Sequence, residues 1–255
     1  NIENIKDVFN FLKDKKNLDI YFFATHNISS TQKENKDLFF KNFSSNVIGL
    51  TNFLDFMKKN KNKNFKLFYA SSSYIFENTK SYPQDEKSIK LFKSNYALIK
   101  YLGLKICESY RLKNNIFCSV GILYTHVSKY INNNFLIKEL AAQVKNKKKK
   151  TIFVKNLNSK LDIMSAKSAV EAMELVLELK KPDTFIISSG KLTSLKNIFL
   201  SIMKFYKINR KIIIKSKTTR IKNNFYLFGN NKKISKAIKW KPEINIDKLV
   251  HDVLS

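Results

Sequence analysis

Tyr96 and Lys100 stand four residues apart in the segment SNYALIK. On a helix that spacing puts both side chains on one face. An ammonium beside a phenol favours the phenolate and draws its pKa from about 10 toward neutrality, which makes a general acid/base for an alcohol. Spacing alone is weak support: 11 tyrosines in so lysine-rich a chain give about two such pairs by chance, and two occur, the other being Tyr101 with Lys105. Context strengthens the first pair. Ser71, Ser72 and Ser73 follow an apolar run, FKLFYA, just upstream of Tyr96. In a parallel sheet, strand C-termini are where ligands sit. A serine there could hydrogen-bond the same hydroxyl that Tyr96 deprotonates, although a polar turn after a strand is the plainer reading.

The elements that must hold these groups alternate between apolar runs and helical periods, the pattern of an α/β sheet. The runs 19–25, 65–70, 116–123 and 184–187 read as strands, with 151–154 strand-like. Helices are expected over 42–59, with Val47, Leu50, Phe53, Leu54 and Met57 on one face, and over 95–113, 166–179 and 246–254, with others near 135–144 and 195–206. Trp240 in IKWKP reads as an apolar anchor, and Met57, Met164, Met173 and Met203 as core filler. The five glycines (Gly49, Gly103, Gly121, Gly190, Gly229) never cluster, so no glycine loop able to cradle a pyrophosphate lies in the sequence.

Composition narrows the class. Of 255 residues, 44% are hydrophobic and 13% aromatic, which excludes a disordered chain, and no apolar run approaches the ~20 residues a bilayer demands. Lys and Arg number 48 against 20 Asp and Glu, a net charge of +28 that would attract a polyanion. Only Arg111, Arg210 and Arg220 are arginines, however, whereas surfaces that read bases or fork phosphates favour Arg. The excess is lysine among many Asn and Ile residues, as A/T-rich codon usage produces, and KNKKKK at 145–150 reads as a solvated loop. Nucleic acid is therefore not the expected partner, and a non-catalytic polyanion-binding protein stands as the rival from another class. Cys107 and Cys118 give no metal spacing and suit a reducing, cytoplasmic setting.

At this point the chain resembles the extended short-chain dehydrogenase/reductases that act on nucleotide sugars, and among them the GDP-mannose 4,6-dehydratases. FYASSSYIF is similar to the family's strand ending in Ser-Thr-Ser-Glu, SNYALIK to its Tyr-x-x-x-Lys helix, and NVIG from Asn46 to its Asn-Val-x-Gly helix start. GILYTHVSKYINNNF matches its Gly-Ile-Leu-aromatic stretch at His126, Ser128, Asn134 and Phe135. VKNLNSKLDIMSAKSAVEAM matches at Asn156, Leu157, Asp162, Ala166, Lys167 and Glu171. The resemblance implies a Rossmann-like doubly wound parallel sheet lacking its N-terminal strands, over residues 1–123, and a smaller C-terminal substrate lobe mixed with core strands, over 124–255.

The resemblance also implies roles. Tyr96 would take the proton of the sugar 4-hydroxyl, Lys100 would hold the phenolate and the cofactor ribose, and Ser72 would bind the reacting oxygen. Ala24, Asn46, Ser71, Tyr96, Lys100 and His126 would meet NADP, with NAD as the alternative cofactor. Ser73, Ser128, Asn134, Phe135 and Arg220 would meet the nucleotide sugar, GDP-mannose by resemblance. The full-length protein would be a homo-oligomer, and no metal or membrane is implied. His26 and His126 also suit plain hydrogen-bonded structural histidines.

Several positions depart from the family pattern. Tyr74 stands where a Glu would remove the carbon-5 proton, Thr125 replaces an Asn and Val127 a Glu. Tyr130 and Ile131 replace two Arg, Leu161 replaces the Arg before Asp162, and Asn223 follows Arg220 in place of a Glu. A neutral tyrosine is a poor base for a carbon acid. A 4-keto reductase or 4-epimerase, which needs Ser72, Tyr96 and Lys100 without the Glu, therefore remains open beside dehydration. The family's glycine loop is expected to precede Asn1, leaving the strand at 19–25 as a sheet edge and the 255 residues unable to hold NADP alone.

Overall fold

The computed structural model describes residues 6–26, 36–77, 79, 82–146, 148, 151–154, 159–216 and 227–255. In chain order the first half contains α1 (Lys6–Leu12), β1 (Asn17–Phe22), α2 (Lys36–Phe43), a π-helical stretch (Ser44–Gly49), α3 (Leu50–Lys59), β2 (Asn64–Ser72), a 3-10 turn (Ser73–Phe76), α4 (Asn95–Asn114) and β3 (Cys118–Leu123). The second half contains β4 (Thr125–Val127), α5 (Leu136–Lys145), β5 (Thr151–Val154), β6 (Lys160–Ser165), α6 (Ala166–Leu177), β7 (Thr184–Ile187), β8 (Leu192–Ser194), α7 (Leu195–Phe205), β9 (Ile213–Ser216), α8 (Lys232–Ile238) and α9 (Ile246–Leu254).

Four strands make one parallel sheet in the order β1-β2-β3-β7. Strands covered on both faces need apolar side chains in both directions, and FKLFYA supplies them. Leu67 and Tyr69 point into a core closed by Leu50 and Leu54 of α3 and Leu104 and Cys107 of α4. Phe68 and Ala70 point the other way, onto Ala169, Met173 and Val176 of α6, Ile234 of α8 and Trp240. Helices on both faces make the sheet doubly wound, as expected. Gly121 permits the close packing: a Cβ there would lie 2.3 Å from the Phe68 ring. Among the described residues β1 pairs with β2 alone.

A second core joins α5, α7 and α9 to β5 and to Val127 and Ile163, beside the smaller sheets β4-β6-β8 and β5-β9. Trp240 is buried, but it is more than an apolar anchor, since its Nε1 donates to the Ser168 carbonyl at 3.1 Å. Met57, Met164 and Met173 are core residues and Met203 packs on the second core. Cys118 Sγ donates to the Cys107 carbonyl, and both thiols are buried and unbridged. Among the described residues no helix is long and apolar enough to cross a membrane, and no cluster of three metal-ligating side chains occurs.

The structure alters two expectations here. The helix expected over 42–59 begins at Lys36 and carries the π-helical stretch, which shifts its facing so that Asn42 and Asn46 are buried while Ile48 is exposed. The strand expected over 19–25 ends at Phe22, and residues 23–26 continue outside the ladder.

Candidate active site

Two helix signals set α4 in place. Ser94 is its N-cap, its side chain accepting from Ala97 N at 3.2 Å, and Asn115 closes it in the left-handed region at φ 53°. Tyr96 thereby falls in the first turn and Lys100 one turn deeper, against the end of β2. The serine run divides by alternation. Ser71 is buried and its Oγ donates to the Lys100 carbonyl at 3.2 Å, while Ser73 is buried within the 3-10 turn. Ser72 lies between them. Its Oγ accepts from Tyr74 N at 3.3 Å, and its hydroxyl is hydrogen-bonded to the Tyr96 phenol.

Lys100 is 3% exposed, and its Nζ donates to Asn46 Oδ1 at 2.8 Å and to the Ala70 carbonyl at 3.0 Å. Burial, with no charged partner to offset it, pushes the Lys100 amine down to about 7. Tyr96 contradicts the expectation of a lowered pKa: burial pushes its phenol up to about 12, opposed only in part by the Ser72 hydrogen bond. The reason is geometric. The ammonium turns toward Asn46 and Ala70 and sits 5.8 Å from the centre of the Tyr96 ring, leaving the hydroxyl to Ser72.

Asn46 is fixed from behind. Its Nδ2 donates to the Asn42 carbonyl at 3.1 Å and to Thr25 Oγ1 at 3.2 Å, which turns Oδ1 to Lys100. Asn42 Oδ1 in turn accepts from Thr25 Oγ1 at 3.1 Å and from His26 N at 2.8 Å. This relay ties the end of β1 to Lys100 through π-helical geometry, a feature often found at functional sites. Asn42 went unnoticed in the sequence. Its signal was an Asn pair at i, i+4 on a face that had to be buried.

Tyr74, at the position where the family pattern carries a Glu, is 46% exposed and meets the Tyr96 ring edge-on at 6.0 Å between centroids. Burial and the nearby Glu77 raise its pKa. Glu77 is committed elsewhere, its Oε2 accepting from Lys93 N and Ser94 Oγ, both at 3.2 Å.

The remaining candidates lie apart from this cluster or around it. Ala24 packs half-buried on the first core. His126 is held by its own loop, Nδ1 lying 2.9 Å from the Tyr124 carbonyl. Ser128 accepts from Tyr130 N at 3.3 Å and lines an ≈790 Å³ cleft with Lys167, Glu171, Lys248 and His251. Asn134 and Phe135 are exposed just ahead of α5. Arg220, with Asn156, Leu157 and Asn223, lies outside the described residues.

A second polar cluster joins the two halves of the chain. Gln84 Oε1 accepts from the Tyr124 hydroxyl at 2.9 Å and from Phe228 N at 2.8 Å. Asp162 Oδ1 accepts from Ser189 N at 2.7 Å and Ser189 Oγ at 2.6 Å, and Oδ2 from Gly229 N at 3.0 Å. Burial raises the Asp162 pKa against these hydrogen bonds.

A family model described as GDP-mannose 4,6 dehydratase matches residues 1–253. The chain belongs to the GDP-mannose 4,6-dehydratase family. Curated members matched include GDP-mannose 4,6 dehydratase of Drosophila melanogaster, 26% identical over 75% of this chain and 54% of the relative. The Homo sapiens protein of that name is 26% identical over 74% of this chain and 57% of its own length. The chain thus spans little more than half the length of these relatives. Solved structures give the same fold. RMD from Pseudomonas aeruginosa complexed with NADPH superposes with a TM-score of 0.82 at 16% identity, over 100% of this chain and 86% of that one. The dTDP-glucose 4,6-dehydratase of Bacillus anthracis in complex with NAD gives 0.79 at 17%, over 99% and 76%.

Proposed function

We propose that the chain supplies the acid/base centre of a nucleotide-sugar enzyme of the GDP-mannose 4,6-dehydratase type, with GDP-mannose as substrate and NADP, or alternatively NAD, as cofactor. The observation that carries this reading is the Ser72–Tyr96 hydrogen bond with Lys100 one turn further along α4, its ammonium 5.8 Å from the centre of the Tyr96 ring. The residues present suit the nicotinamide-ribose end of a dinucleotide. Protonated Lys100 commits two N–H groups to Asn46 and Ala70, and no described residue accepts the third. The glycine-rich pyrophosphate cradle is not among these residues. When bound, the nicotinamide supplies the two-electron redox chemistry.

The chain's own part is proton management at carbon 4 of the sugar. Ser72 donates a hydrogen bond to the carbon-4 oxygen. Tyr96, a neutral phenol at pH 7, gives its proton to that oxygen when the carbonyl is reduced; in the oxidising direction it takes the proton only once ionised, a state that charged Lys100 favours. Oxidation at carbon 4 acidifies the carbon-5 proton; its loss with the carbon-6 hydroxyl, as water, would leave a 5,6-unsaturated 4-ketone, and return of the carbon-4 hydride to carbon 6 with a proton to carbon 5 would give the 4-keto-6-deoxy sugar. Ala24, Asn46, Ser71 and His126 belong to the cofactor side of this reading. Ser73, Ser128, Asn134, Phe135 and Arg220 belong to the sugar-nucleotide side, within the second half of the chain read as the substrate lobe apart from Ser73.

One observation favours a second reading. Tyr74 has no carboxylate and its phenol is raised, which makes it a poor base for a carbon-bound proton, while neutral Tyr96 is set to donate to a ketone. A 4-keto reductase or 4-epimerase needs nothing further. The test is product analysis of the full-length protein by mass spectrometry. GDP-mannose with NADP should give a 4-keto-6-deoxy product, and Tyr74→Glu should accelerate its formation about tenfold or more. Turnover of a 4-keto sugar with NADPH and no loss of water would replace dehydration with the second reading.

A further inference from the structure

Lys100 is buried and no carboxylate among the described residues balances it, so its charge must be held by the groups packed around it. Beneath it lies Tyr69, fully buried on β2. Its ring centre is 5.4 Å from Lys100 Nζ, and its hydroxyl lies 3.5 Å from Asn46 Oδ1, the oxygen that also accepts from Lys100. The seat exists because residue 103 is glycine. A Cβ there would stand 2.2 Å from the Tyr69 hydroxyl oxygen and 2.4 Å from the ring carbon that bears it. Glycine weakens a helix interior relative to alanine, so α4 gives up local stability to admit this ring.

We propose that Tyr69, admitted by Gly103, is a positioning residue that holds the Lys100 ammonium in the site, its ring face carrying the charge and its hydroxyl steadying the Asn46 oxygen that aims it. The inference rests on the role given to Lys100 above and adds how that role is secured. The titratable groups that face the pair are Tyr96 on α4, its ring 5.8 Å from Nζ, and Cys107 on α4 beside Tyr69. Burial raises the pKa of Tyr96, Tyr69 and Cys107 alike, so at neutral pH none is an anion and the ring faces are what remains to stabilise the charge.

The test is the proton affinity of Lys100 in the full-length protein, followed by 13C NMR of labelled lysine side chains through a pH titration and assigned by loss of the signal in Lys100→Met. Tyr69→Leu removes the ring face and should lower the Lys100 midpoint by about one pH unit, whereas Tyr69→Phe keeps the face and should stay within about 0.3 of the parent. Gly103→Ala displaces the ring and should shift the midpoint in the direction of Tyr69→Leu, giving a second route should the leucine variant fold poorly. A midpoint that is unchanged or raised in folded Tyr69→Leu or Gly103→Ala overturns the proposal. Because the titration needs no turnover, the expected shift in a protein that transforms no sugar would keep Tyr69 as the positioning group and remove the reaction assigned to Lys100.

Discussion

Two of the molecule's buried polar clusters, around Asp162 and around Lys100, are built on opposite terms. Around Asp162, every donor is answered: a carboxylate takes three hydrogen bonds from Ser189 and Gly229, and Gln84 takes the Tyr124 hydroxyl and the Phe228 amide. Around Lys100 no described residue supplies a counter-ion, its amine is held near 7, and the Ser72–Tyr96 pair lies at the end of β2. A buried polar group that is fully satisfied fixes one arrangement, while one left electrostatically costly is where binding and proton transfer concentrate. The first cluster locks the chain's two halves together; the second is the one suited to chemistry.

The largest expected effect separates the two by stability. Asp162→Ala strands the Ser189 amide, the Ser189 hydroxyl and the Gly229 amide, and should cost about 3–5 kcal/mol in urea unfolding. A loss under ~1 kcal/mol would remove the locking role from this cluster.

An effect of similar total size, but spread over pH, marks Lys100. Its folded pKa lies below the unfolded value of 10.5, so between about pH 7 and 10 the unfolded chain binds the extra proton and stability rises with pH, by up to ~1.4 kcal/mol per unit. Above pH 10 the raised pKa values of Tyr69, Tyr96 and Tyr124 reverse the trend, because the unfolded tyrosines ionise first. Lys100→Met should flatten the rise and keep the alkaline fall. An unaltered rise in that variant would assign it to another group.

The comparison also shows what the sequence made legible. The sheet was readable because strands covered on both faces must be near-continuous apolar runs, as 65–70, 116–123 and 184–187 are. The three-residue strands β4 and β8, and the lysine-rich helix α8, carry too short or too polar a pattern to stand out, since tertiary pairing and one buried Ile234 hold them. Ser72, Tyr96 and Lys100 were legible as a motif on predicted elements. The direction of the Tyr96 shift was not, because it depends on where Nζ turns, and that is set by Asn46 across the chain. Tyr69 and Gly103 were invisible for the same reason: their relation is a contact between strand and helix.

The most direct test of the proposed site is hydride-transfer kinetics in full-length Tyr96→Phe, followed at the nicotinamide absorbance with saturating nucleotide sugar. Losing only the phenolic oxygen should lower kcat by at least about a thousandfold while sugar-nucleotide affinity, read by calorimetry, stays within about threefold. Turnover within tenfold of the parent would contradict the assignment of proton transfer at carbon 4 to the Ser72–Tyr96–Lys100 cluster.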